Sequence, residues 1–104
     1  MHFERSETED SSVLKVHGEL TVECAKEFRS ALMEELEKSD NILVDLEGLT
    51  EVDISGLQLL CSTSNTAEKL NKRFCLGNLP ERFVQFANDT GYSFLPGLEA
   101  AEHS

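Results

Sequence analysis

Short apolar segments with strand periodicity alternate with amphipathic helical segments along this chain, and that alternation restricts its fold more than any other feature. Val13-Leu14-Lys15-Val16-His17 has period two, with Leu14 and Val16 on one face and Lys15 and His17 on the other, so it reads as a strand that Gly18 ends. A short opening strand is expected around Phe3, with the acidic residues 4–12 as a solvated hairpin loop. Thr21 is placed as the N-cap of a first helix, because its hydroxyl can accept from an early helix N–H, and Glu23 suits the positive end of the dipole. Cys24, Ala25, Phe28, Ala31, Leu32 and Leu36 then recur at helical spacing, while Lys26, Glu27, Arg29, Glu34 and Glu37 fill the opposite face.

Ile42-Leu43-Val44-Asp45-Leu46 reads as an internal strand, and Glu47 to Val52 as a loop. A second helix starts near Asp53-Ile54-Ser55-Gly56 and runs to about Asn71. It has a broad apolar arc that includes Leu57, Leu59, Leu60 and Ala67, and a narrow polar stripe of Gln58, Ser62, Asn65 and Lys69. Arg73-Phe74-Cys75-Leu76 is the next strand. Pro80 at a first helical position, then Phe83, Val84, Phe86 and Ala87, and Gly91 as C-cap, describe a third helix. Single strands alternating with helices imply one α/β domain with a mixed sheet of about four strands. It takes in residues 1–104, with a core at about 13–95 and a polar tail at 96–104.

Composition limits the function. The 104 residues carry 20 acidic and 9 basic side chains, a formal charge of −11, which argues against a nucleic-acid or anionic-membrane surface. No apolar run approaches the roughly 20 residues of a membrane span, and the N-terminus has no export signal, so a cytoplasmic location is expected. Cys24, Cys61 and Cys75 form no C-x-x-C pair and lie in apolar patterns, which reads as buried free thiols. His2, His17 and His103 are too scattered for a metal site or a catalytic base and read as solvated. With no Gly-rich phosphate loop and no nucleophile elbow, nothing points to an enzyme, a metal or a cofactor.

Asp53-Ile54-Ser55-Gly56-Leu57 is the one segment with two readings. In the first, Asp53 or Ser55 caps the helix and Gly56 lets the chain turn. In the second, the Ser55 hydroxyl lies at the positive end of a surface helix, where a phosphoryl group would add about −1.5 to −2 charges beside Glu51 and Asp53. Those are the electrostatics of a docking surface that can be switched.

The stretch from Ile42 to Leu60, an apolar strand, Asp45-Leu46, a loop, then Asp53-Ile54-Ser55-Gly56-Leu57 opening a helix, resembles the signature of the STAS domain, the family of bacterial anti-sigma factor antagonists. The resemblance extends from about Val13 to Tyr92. It implies helices packed on one face of the sheet and no intrinsic catalysis. It also implies that Ser55 is the phosphoacceptor of an anti-sigma factor that is itself a serine kinase, with a phosphatase resetting the switch. Asp53, Ile54 and Gly56 would form the switch loop, and Gln58, Leu59, Ser62, Asn65 and Lys69 would meet the partner. The alternative within the same family is a constitutive subunit that binds a chemotaxis signalling protein or a lipid-transport ABC ATPase, with Ser55 only a helix cap.

Overall fold

The structure, a computed structural model, describes residues 2–92. The chain runs through β1 (His2–Glu7), β2 (Ser11–Leu20), α1 (Ala25–Lys38), β3 (Asn41–Val52), α2 (Ile54–Lys69), β4 (Arg73–Gly77) and α3 (Glu81–Asp89). The strands form one mixed sheet in the order β1-β2-β3-β4, with β1 antiparallel to β2 and the other two pairs parallel. Parallel neighbours need a long crossover, and α1 and α2 supply the two.

Period two decides which strand residues enter the core. Leu14, Val16 and Leu20 of β2, Ile42, Val44 and Leu46 of β3, and Phe74 and Leu76 of β4 meet Phe28, Leu32 and Leu36 of α1, Leu57 and Leu60 of α2, and Phe83 of α3 in one buried cluster. The alternate residues Lys15, Leu43, Glu47 and Cys75 are exposed, so the helices lie on one face and the other face is open. Burying each such apolar side chain is worth about 1.5–3 kcal/mol. Phe3 stacks on Phe28 with ring centroids 5.8 Å apart and fastens the edge strand to that core. The Cα radius of gyration is 12.5 Å, close to the ~13 Å of a chain this long.

Several boundaries differ from those expected. Glu4 to Glu7 belong to β1 and not to a loop, because β1 pairs along its whole length, Glu4 opposite Lys15 and Glu7 opposite Ser12. Gly18, at φ 106°, does not end β2, which continues to Leu20. Residues 47–52 are likewise strand: β3 runs on beside β2, taking up register shifts between Lys15 and His17 and between Gly18 and Glu19. Gly48 lies against the His17 ring, where a β-carbon would clash with Nδ1. Thr21 does not cap α1. The N-cap is Cys24, which makes no side-chain cap bond, and its N–H donates to the Thr21 carbonyl in the preceding turn. Pro80 is the N-cap of α3 and not its first helical residue, while Gly91, at φ 87°, follows the helix end as expected. α2 stops at Lys69, short of Asn71.

The thiols are less buried than their apolar neighbours suggest, since Cys75 is exposed on the open face and Cys24 and Cys61 are half-buried. His17 is not merely solvated, because its Nε2 lies 3.3 Å from Glu4 Oε2. His103, Phe94-Leu95 and the polar tail lie outside the described residues.

Every ion pair among the described residues has one member on β1: Arg5 with Glu34 and Glu35, Glu4 with His17, and Glu7 with Lys38. Arg5 Nη1 donates to Glu34 Oε2 at 2.6 Å. That hydrogen bond, reinforced by the guanidinium charge, holds the Glu34 carboxyl below the usual carboxylate value and raises the Arg5 pKa. Glu35 is wholly buried, seven residues after Phe28 on the same face of α1, and neither carboxylate oxygen accepts a hydrogen bond from the described residues.

Candidate functional site

The chain turns from the open end of β3 into α2 at Asp53, and the Asp53 carboxylate organises that turn. It has the extended backbone of an N-cap (φ −120°, ψ −178°), and its Oδ1 accepts the Gly56 N–H at 3.2 Å. Its Oδ2 accepts the Val22 N–H at 3.0 Å, from the loop between β2 and α1. Its own N–H donates to the Leu20 carbonyl at 3.1 Å. One side chain therefore caps α2 and ties down a neighbouring loop.

Gly56 is buried. A β-carbon there would lie 2.6 Å from Leu20 Cγ and 2.7 Å from the Leu20 carbonyl oxygen. The glycine is required by the close approach of the first turn of α2 to the end of β2. The first turn is thus pressed inward at Gly56 and Leu57, while Ile54 stays 42% exposed and Ser55 half-buried.

Ser55 is the second helical residue, and its hydroxyl has no hydrogen-bond partner among the described residues. The capping role belongs to Asp53, so the reading of Ser55 as a helix cap does not hold. The backbone N–H groups of Ile54 and Ser55 find no acceptor among the described residues, as the first amides of a helix ordinarily do not. The free hydroxyl therefore sits at the partly positive end of α2.

Below Ser55 the polar stripe is continuous. Gln58, Ser62, Asn65 and Lys69 are exposed at helical spacing, and Leu59 beside them is half-buried. Thr63, on the buried face, and Thr66, beside the stripe, return their hydroxyls to the Leu59 and Ser62 carbonyls. The sequence alone did not single out Val22, which is 66% exposed on the loop that the Asp53 carboxylate ties down. Its one signal is an aliphatic residue between the polar Thr21 and Glu23.

Other features of the surface have less to offer chemistry. A cleft at the end of β3, lined by Thr50, Glu51, Val52, Arg82 and Phe83, holds only about 10 Å³, near the size of one water. On the open sheet face a groove of about 290 Å³ gathers Glu4, Lys15, His17, Asp45 and Glu47. There Asp45 already accepts from the Glu47 N–H and from Asn78, both at 3.0 Å. No group of three or more His, Cys, Asp or Glu is placed to hold a metal among the described residues, and no described helix is long and apolar enough to cross a membrane.

No curated protein matches the sequence. A putative anti-sigma factor antagonist from Thermotoga maritima has a similar structure, with TM-score 0.81 at 20% identity over 97% of this chain and 92% of that one. The anti-sigma factor antagonist SpoIIAA in its unphosphorylated form gives TM-score 0.76 at 19% identity, over 91% and 85%. The phosphorylated form of SpoIIAA, from Bacillus, gives 0.71 at 19% identity, over 91% and 88%. At these identities the likeness is one of fold: a four-stranded mixed sheet with three helices. The family model described as "Mlab, STAS domain" matches residues 3–94. With the sheet, the single helical layer and the Asp53-Ile54-Ser55-Gly56-Leu57 turn in place, and with a family model spanning nearly all of it, the chain belongs to the STAS domain family.

Proposed function

We propose that this protein is a phosphorylation-controlled binding protein of the anti-sigma factor antagonist type, with Ser55 as the acceptor. The observation that carries the reading is the division of labour in the first turn of α2. Asp53 takes the cap, and the Ser55 hydroxyl is left unbonded at the helix end. The existence of SpoIIAA in unphosphorylated and phosphorylated forms on the same fold supports it.

In the step, the Ser55 oxygen bonds to the γ-phosphorus of ATP held by a partner serine kinase. The bond from that phosphorus to the bridging oxygen breaks, ADP leaves, and the hydroxyl proton passes to a base on the kinase. This chain contributes the acceptor and the docking surface, and the nucleotide belongs to the partner. The unphosphorylated face, Ile54, Gln58, Leu59, Ser62, Asn65 and Lys69, binds the anti-sigma factor kinase. The added charge then meets Glu51 and Asp53 and weakens the complex, and a phosphatase restores the serine. The cytoplasm, where ATP is available, is the location this cycle requires. A constitutive subunit for a chemotaxis protein or an ABC ATPase is the weaker reading, because it assigns Ser55 the cap that Asp53 occupies.

Incubating the protein with ATP and the anti-sigma factor kinase encoded nearest to it, followed by mass spectrometric mapping, tests the assignment. Phosphate on Ser55, abolished in Ser55→Ala, is expected. Phosphate elsewhere, or none from a kinase active on another antagonist, would overturn it.

A further inference from the structure

We infer that Val22 is a partner contact whose position is set by the phosphorylation state of Ser55, with Asp53 as the positioning residue between them. The inference rests on the switch reading and goes beyond it, because it extends the docking surface to a second element and names the link. Three observations carry it. The Asp53 carboxylate is shared, with Oδ1 on the Gly56 N–H of the helix turn that contains Ser55 and Oδ2 on the Val22 N–H. Val22, at 66%, is the most exposed of the large apolar side chains among the described residues, and Ile54, at 42%, is another exposed one. Glu19 and Glu51 are cross-strand partners at this end of the sheet, both are exposed, and neither has an ion-pair partner among the described residues.

Like charges placed opposite each other on neighbouring strands repel. That pair, close along the chain to the exposed aliphatic residues Val22 and Ile54, fits a partner that brings Lys or Arg to the rim of an apolar cleft. The occupant is therefore the kinase-type partner of the switch, with its cleft on Val22 and Ile54 and its cations on Glu19 and Glu51.

A phosphoryl group on Ser55 is two residues from the Asp53 carboxylate and seeks the same first-turn amides. Repulsion and competition for the Gly56 N–H both push the carboxylate off its present position, which opens its bond to Val22. The loop then loses its anchor, and the apolar contact is withdrawn when the charge arrives. Phosphorylation would thus weaken docking twice, by charge at α2 and by displacement of Val22.

The test uses the full chain with phosphoserine placed at 55 during translation, so it needs no kinase. Its outcome is separate from whether any kinase modifies Ser55. Amide NMR is recorded on the serine and phosphoserine forms, alone and with Asp53→Asn. The side-chain carbonyl introduced by Asp53→Asn can still accept from Gly56, but the amide nitrogen beside it cannot accept from Val22. The expected result is an upfield shift of the Val22 amide proton and an increase of about ten-fold in its exchange on phosphorylation, with Leu14 and Val16 unchanged. In Asp53→Asn the Val22 amide should already be in that state, and phosphoserine should move it no further. Val22→Ser should weaken partner binding on the order of ten-fold without changing the fold. A Val22 amide indifferent to phosphoserine, or one that responds equally in Asp53→Asn, would overturn the coupling. Undiminished binding by Val22→Ser would overturn the contact.

Discussion

Gly56 and Leu20 meet so closely that the space above the Gly56 α-carbon is filled by the Leu20 side chain and carbonyl oxygen, at 2.6 and 2.7 Å from where a β-carbon would sit. The contact involves backbone as well as side chain, so it cannot be relieved by a rotamer change alone. Gly56→Ala is expected to lower unfolding stability by about 1–3 kcal/mol, as overpacking of a tight interior does. Urea unfolding would read this as a lower midpoint with an unchanged slope. Because Ser55 precedes the clash, the same variant should also lose partner binding.

The buried Glu35 sets up a second prediction. Among the described residues its one charge partner is Arg5, with Nε 3.5 Å from Oε1, and no hydrogen bond reaches either oxygen. Replacing such a group by an apolar one of similar size is commonly neutral or stabilising, whereas removing its partner strands a buried charge. Thermal unfolding should therefore show Glu35→Leu at or above the parent. Arg5→Ala should fall below it by about 1–3 kcal/mol, a figure kept low because Arg5 is partly exposed. Arg5→Ala in the Glu35→Leu background should cost less than it does in the parent.

Acid should act through Glu34. The Arg5 hydrogen bond and charge lower its pKa in the folded state below the ordinary 4.5. A depressed folded-state value contributes stability that is present above the unfolded-state value and is lost as pH falls through the folded one. Stability should thus decline with acid below about pH 4.5, and part of that slope should disappear in Glu34→Gln. Unfolding curves at successive pH values on the two proteins check this.

The Asp53 cap gives a prediction that separates folding from binding. Asp53→Ala removes the acceptor for both Gly56 and Val22, and a lost N-cap costs about 1 kcal/mol. Asp53→Asn keeps the cap and should recover most of the stability in chemical denaturation. It should not recover the Val22 anchor, so its partner affinity should stay low.

The order of elements was legible because it follows from periodicity, whereas the one-sided helical layer came only with the family resemblance. Leu14, Val16, Ile42 and Val44 alternate with exposed neighbours, and Phe28, Leu32 and Leu36 recur at helical spacing. The ends of strands were not. Gly18 looks like a terminator and Glu47-Gly48 like a loop, yet both lie within strands, because backbone pairing between β2 and β3 absorbs two register shifts that no local pattern reveals. Glu35 falls on the apolar face by spacing, but its charge conceals it, and its pairing with Arg5 of β1, thirty residues away, is visible only in the structure. At the site, the residue types around Ser55 were readable. Which of Asp53 and Ser55 makes the cap, and that Val22 hangs from the same carboxylate, depends on contacts between residues far apart in the chain.

The most direct measurement of the switch is the affinity of the anti-sigma factor kinase for this chain with serine and with phosphoserine at 55, by titration calorimetry at fixed salt. Tight binding of the serine form and a loss on the order of 100-fold in the phosphoserine form are expected, from charge placed against Glu51 and Asp53. Equal affinities of the two forms would contradict it.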